Sequence, residues 1–121
     1  MFKVAIMGGE ATGDYLMFKN KCVKCLKNQA KNGIMIYSTG DKFVNAFAER
    51  YGISIKTFPL DIQTYGRNAF DIRNETMFKD CDGLIYFSAN RFYDQKIIEQ
   101  AKNAGLSIRN IILPSQSDPH K

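Results

Sequence analysis

Arg67 and Arg73, each followed directly by an asparagine (Asn68, Asn74), make the stretch from Tyr65 to Met77, Tyr-Gly-Arg-Asn-Ala-Phe-Asp-Ile-Arg-Asn-Glu-Thr-Met, the best-equipped segment of this 121-residue chain for holding a ligand. Guanidinium groups are permanently charged planar forks that match phosphate oxygens, and an asparagine amide can donate to and accept from ribose hydroxyls or base edges. Together they point to a phosphorylated, nucleotide-like small molecule. The same spacing also suits a solvated helical face with capping asparagines, and local pattern alone does not separate the two.

Three further polar turns accompany it. Gly8-Gly9-Glu10-Ala-Thr-Gly13-Asp14 follows an apolar run and opens a helix, so its amides can cup a phosphate, or its glycines can simply allow a tight bend. It is not Gly-x-Gly-x-x-Gly and it lacks the lysine of a P-loop. Ser38-Thr39-Gly40-Asp41 is a second turn into a helix, able to meet an anion or to cap. Ser88-Ala-Asn90-Arg91 follows a later apolar run. Glu10 and Asp41 are the acids at this rim: general acid or base if the protein is an enzyme, otherwise caps or ion-pair partners. Tyr15, Phe43, Tyr65, Phe92 and Tyr93 lie in or beside these turns as possible stacking surfaces for a base, Phe43 more in the manner of a core residue.

Other chemistry is poorly supplied. The one histidine, His120, sits in the tail, which leaves no Ser/His/Asp or Cys/His arrangement. Cys22-x-x-Cys25 lies mid-helix rather than at a helix start, and zinc would need two more soft ligands, so Cys22, Cys25 and Cys81 read as structural thiols. No metal and no cofactor is expected.

The elements that must position these groups alternate regularly. Apolar runs at Lys3–Met7, Ile34–Tyr37, Ile53–Phe58, Gly83–Phe87 and Ile108–Leu113 read as strands. Helical spacing predicts a first helix over Tyr15–Lys31, capped by Asp14 and packed through Leu16, Val23, Leu26 and Ala30, and a second closed by Gly52. After Pro59 a loop enters the arginine segment, which becomes a helix ending near Lys79 with Ala69, Ile72, Met77 and Phe78 inward. A last helix spans Tyr93–Ala104. This order predicts an α/β fold: a three-layer, doubly wound, Rossmann-like domain over 1–113 with a parallel five-stranded sheet of order 3-2-1-4-5, and a polar tail over 114–121. Ligands of such folds bind beyond the carboxyl ends of the strands, where all four polar turns fall.

A chain that is 45% hydrophobic and 24% charged is of ordinary globular composition. No segment approaches a membrane span and no leader pattern opens the sequence, so a soluble, cytoplasmic protein without a membrane partner is expected. The net charge of +5 is spread over many lysines. Lys19, Lys21, Lys24, Lys27 and Lys31 make only part of a nucleic-acid stripe, so nucleic acid is not the expected partner.

The string Ala48-Glu-Arg-Tyr-Gly-Ile53, a strand ending in Phe58-Pro59, Tyr65-Gly66-Arg67, Ala69, and Ile72-Arg73-Asn74 with Met77 resembles the SLOG superfamily, in particular its small YspA-like branch, more distantly related to LOG-type phosphoribohydrolases and to DprA. Cys81-Asp82-Gly83-Leu-Ile-Tyr-Phe87 looks like a further strand of that family. The likeness runs from Val4 to about Ile111. It implies a Rossmann-like domain that binds nucleotide-derived molecules, some relatives cleaving N-glycosidic bonds and others sensing NAD-derived signals. Gly8-Gly9-Glu10 stands where the family has Gly-Ser-Arg, the glycine-rich second turn keeps only Gly40, and the fourth turn lacks the Gly-Thr of the family. With that apparatus reduced, the expected function is binding without turnover of an ADP-ribose-like or cyclic-nucleotide signal. A viral counter-defence protein acting in the host cytoplasm would sequester its ligand in this way. The alternative is an N-glycosidic hydrolase using Glu10 or Asp41. A homo-oligomer, most simply a two-fold dimer, is expected.

Overall fold

Five short apolar runs form the strands β1 (Phe2–Met7), β2 (Ile34–Ser38), β3 (Ser54–Thr57), β4 (Gly83–Ser88) and β5 (Ser107–Ile112). The computed structural model describes residues 1–89 and 93–114, the backbone alone at 30–32. The strands pair in parallel in the order β3-β2-β1-β4-β5, as the alternation of elements predicts. Parallel neighbours need crossovers, and helices supply them: α1 (Tyr15–Leu26), α2 (Lys42–Arg50), a short α3 (Ile62–Tyr65), α4 (Ala69–Lys79) and α5 (Asp94–Asn103).

The pleat sends alternate side chains to opposite faces, and each face packs its own core. Val4, Ile6, Ile36, Ile85 and Phe87 meet Phe18, Cys22, Leu26, Val44 and Phe47 of α1 and α2. Ala5, Met7, Tyr37, Leu84 and Tyr86 meet Met77 and Phe78 of α4 and Ile97 and Ala101 of α5. The result is three layers with β1 and β4 buried on both faces.

Helix α1 differs from the sequence expectation in two respects. Its regular part stops at Leu26 and continues as a 3-10 segment over Lys27–Asn32. Leu16 and Val23 are exposed, because Phe18, Cys22 and Leu26, four residues apart, take the inward face instead. Asp14 does cap this helix, its carboxylate accepting from the Met17 amide at 3.2 Å. Burial pushes the Cys22 thiol well above its ordinary value and the Cys81 thiol up to about 12. Both are free, protonated thiols, poor nucleophiles at neutral pH. Among the described residues no grouping of His, Cys, Asp or Glu could hold a metal ion, and no helix is long and apolar enough to cross a membrane.

Beneath α4, the Tyr37 hydroxyl donates to the Asp80 carboxylate, which also sits 3.5 Å from Lys3 Nζ and 3.8 Å from Lys56 Nζ. The Tyr37 hydrogen bond, with smaller help from the lysines, holds the Asp80 carboxyl below the usual carboxylate range. A depressed folded-state value contributes stability that is present above the unfolded value and lost as pH falls through the folded one. Asp80→Asn should therefore flatten the acid limb of the stability curve below about pH 4 while leaving the neutral limb little changed apart from a constant offset, as read by urea denaturation across pH.

Candidate functional site

At the carboxyl end of β1 the chain turns sharply into a 3-10 segment, Gly9–Thr12, with Gly8 at a φ of 80°. A Cβ on Gly8 would stand 2.6 Å from the Phe87 carbonyl oxygen, and one on Gly9 would stand 2.8 Å from the Phe18 ring and 2.9 Å from Asp41 Oδ1. These two glycines are therefore required by close approach to β4, α1 and the second turn.

That second turn is tied to the first by carboxylates. Asp41 Oδ1 accepts from the Phe43 and Val44 amides, at 2.9 and 3.2 Å, while its Oδ2 accepts from the Glu10 amide at 2.9 Å. Glu10 returns the contact, its Oε2 accepting from the Lys42 amide at 2.7 Å. The free amides at the start of α2, the natural seat for a phosphate, are thus held by the chain's own anions. Gly40 donates its amide to Ser38 Oγ at 3.0 Å, and the buried Ser38 hydroxyl donates to Asn45 Oδ1 at 2.8 Å. Thr39 lies half-buried between them. Of the two readings the sequence allowed for this turn, capping is the one the geometry displays.

The arginine segment stands on the other face of the sheet. Asp61 caps α3 by accepting from the Thr64 amide at 3.1 Å, and Gly66, at a φ of 54°, reverses the chain into a 3-10 turn that feeds α4. Sequence reasoning took this stretch as a loop, missing the short α3 that the Asp61 cap nucleates. Arg67, Asn68 and Tyr65 are exposed, whereas Arg73 is half-buried and Asn74 is buried. Arg73 Nε donates to Asn74 Oδ1 at 3.0 Å, Asn74 Nδ2 donates to Gln100 Oε1 at 3.3 Å, and Gln100 Nε2 reaches the Asp71 carbonyl at 3.5 Å. The guanidinium carbon lies 5.7 Å from the centre of the Phe70 ring. Burial pushes the guanidinium below its ordinary value. No carboxylate faces it among the described residues, since Asp71 is engaged by Lys96 at 2.9 Å.

The fourth turn carries a group that sequence reasoning passed over. Asp94, buried at the start of α5, accepts from the Tyr86 hydroxyl and, at 3.1 Å, from the Ala89 amide. Its signal was an acid at a helix start two residues beyond an aromatic. Ser88 is buried and donates to Asn110 Oδ1 at 2.8 Å. Asn90 lies outside the described residues.

The structure therefore brings Gly8, Gly9, Glu10, Ser38, Gly40 and Asp41 into one hydrogen-bonded joint, and gathers Tyr65, Arg67, Asn68, Phe70 and Arg73 along α3, the 3-10 turn after it and α4. Among the described residues no hydrogen bond or ion pair links the two groups. No family model, curated protein or solved structure matches this chain. A separate cleft of about 60 Å³, lined by residues including Phe2, Cys25, Leu26 and Arg109, opens at the amino ends of β1 and β5 and falls far below the roughly 300 Å³ of a small-molecule pocket.

The joint has a measurable mechanical role. Asp41→Ala removes the α2 cap and the Glu10 anchor together and should cost about 1–2 kcal/mol in a urea titration, with Asp41→Asn recovering part of the loss through its remaining acceptor oxygen.

Proposed function

We propose that this chain binds a phosphorylated, nucleotide-derived small molecule of the ADP-ribose or cyclic-nucleotide kind over α3 and the first half of α4, and holds it without turnover. The observation that carries this reading is the state of Arg73: half-buried, fixed through Nε by Asn74, and facing no carboxylate among the described residues. A desolvated guanidinium whose remaining N–H donors lack an anionic acceptor gains most from a phosphate oxygen, which supplies both the charge and the paired acceptors. Phe70, with 57% of its surface exposed, and Tyr65 offer ring faces for a base beside it. Arg67 and Asn68 stand next in the chain for a second phosphate or a ribose. Binding is favoured over hydrolysis because Asp41 commits both carboxylate oxygens, and Glu10 one of its two, to main-chain amides on the opposite face of the sheet from the arginine segment. Retention of an intact ligand in the cytoplasm suits sequestration of a signalling nucleotide.

A panel of nucleoside monophosphates, NAD, ADP-ribose and cyclic nucleotides tests the reading directly. One member should raise the melting temperature and be recovered unaltered by mass spectrometry. Release of a free base would instead establish a hydrolase. With the binding ligand in hand, Arg73→Ala should weaken affinity by about 2 kcal/mol, roughly thirty-fold in Kd by calorimetry, and a folded variant of unchanged affinity would remove the arginine from the site.

A further inference from the structure

The positive charge of this chain is concentrated on one helix. Lys19, Lys21, Lys24, Lys27 and Lys31 fall between Asp14 and Asp41 with no Asp or Glu among them, and the remaining Lys and Arg equal the Asp and Glu in number, so these five account for the whole net charge of +5. A cation of β5 joins them. Arg109 is in register with Ile85, whose side chain packs in the α1 and α2 core, so parallel pairing puts Arg109 on that same face of the sheet. Burial raises the Cys25 thiol, and Arg109, Lys21 and Lys24 each draw it back down, which gathers three cations around one residue of α1. Among the described residues no carboxylate lies within ion-pair range of Lys19, Lys21, Lys24, Lys27 or Arg109, whereas Lys3, Lys56 and Lys96 each have one. The partial negative charge at the end of α1 answers about half of one charge and leaves the rest.

The same helix also turns apolar residues outward. Phe18, Cys22 and Leu26 face the core, so the opposite stripe runs through Leu16, Asn20, Val23 and Lys27, all exposed. Leu16 keeps 60% of its surface in solvent and Val23 keeps 40%. Helical spacing places Lys19 on one shoulder of that stripe and Lys24 on the other. Aliphatic residues along the crest with lysines to either side are the arrangement of a helix that lies in a lipid interface, where the long lysine stems reach back to the headgroups.

We propose that the outward face of α1 docks this chain on an anionic lipid surface, the helix lying flat with Leu16 and Val23 in the interface and its lysines among the lipid phosphates. Charge complementarity calls for an anionic partner, and the crest selects the lipid. A nucleic-acid backbone rewards the cations alone, and the stripe offers no aromatic ring on which a base could stack. A bilayer takes in cations and aliphatic side chains in one plane, and asks no matched shape of a convex helix. The contact is peripheral and needs no spanning segment, so it goes beyond the sequence expectation of no membrane partner, which rests on the lack of such a segment. It is independent of the arginine segment, which lies on the other face of the sheet.

The chain has no tryptophan, so Leu16→Trp and Val23→Trp, both at exposed positions, each give a sole reporter of insertion. With vesicles of phosphatidylcholine carrying about one-third phosphatidylserine, the emission of both variants should shift to the blue and be quenched by brominated acyl chains, while exposed Ile62→Trp on α3 stays water-like. Wild type should co-sediment with these vesicles and not with pure phosphatidylcholine. Each lysine near such a surface is worth about fivefold in partition, so Lys24→Glu combined with Lys27→Glu should lower it at least tenfold. Failure to partition, partition with both reporters still in water, indifference to the double charge reversal, or tighter binding of an oligothymidylate of about twenty nucleotides than of the vesicles overturns the proposal.

Discussion

Burial of a parallel sheet on both faces forces the polar groups of this chain outward to its carboxyl edge. β1 and β4 pass through the middle of the molecule with most of their side chains committed to two apolar cores. Loops and helix starts at the strand ends carry what remains. In the turn after β1, Gly8 must pass within contact distance of the β4 backbone before the chain can enter its first helix.

Within that edge the two halves have taken different roles. On the α1 and α2 side, Glu10 and Asp41 exchange main-chain hydrogen bonds and close the joint between the first two loops. Negative charge at the start of α2 answers the partial positive charge of the helix end and stabilises it. On the α4 side the balance is reversed: an arginine lies partly desolvated with no anion to answer it among the described residues. The chain thus supplies its own anions where a phosphate would ordinarily sit and, among the described residues, leaves a cation unanswered elsewhere, which moves the candidate site from the glycine bends to the helical segment beside them.

Much of this was legible in the sequence because it rests on local signals. Apolar runs bounded by glycine gave all five strands, and their alternation with helices gave the sheet order. Legibility failed where the outcome depends on which of several apolar residues wins a face. Leu16 and Val23 have the right spacing for a core, yet the larger Phe18 ring, seated on Phe47 and Phe87, orients α1 and turns them out to solvent. It failed again at Asp61, whose cap is strong enough to fold four residues of an apparent loop. Long-range pairings were beyond reach for a different reason: the Glu10 and Asp41 contacts join residues 31 and 32 positions apart, and the Asn74–Gln100 contact spans 26, so no local pattern encodes them.

The bridging amide of Asn74 carries a consequence of its own. With one end taken by Arg73 and the other by Gln100, it fixes the guanidinium fork before any anion arrives, and anchors it to two helices at once. An arginine left to wander would surrender about 0.5–1.5 kcal/mol of rotameric freedom on capture. Here part of that freedom is already spent in folding, so at this residue the proposed anion site is preorganised.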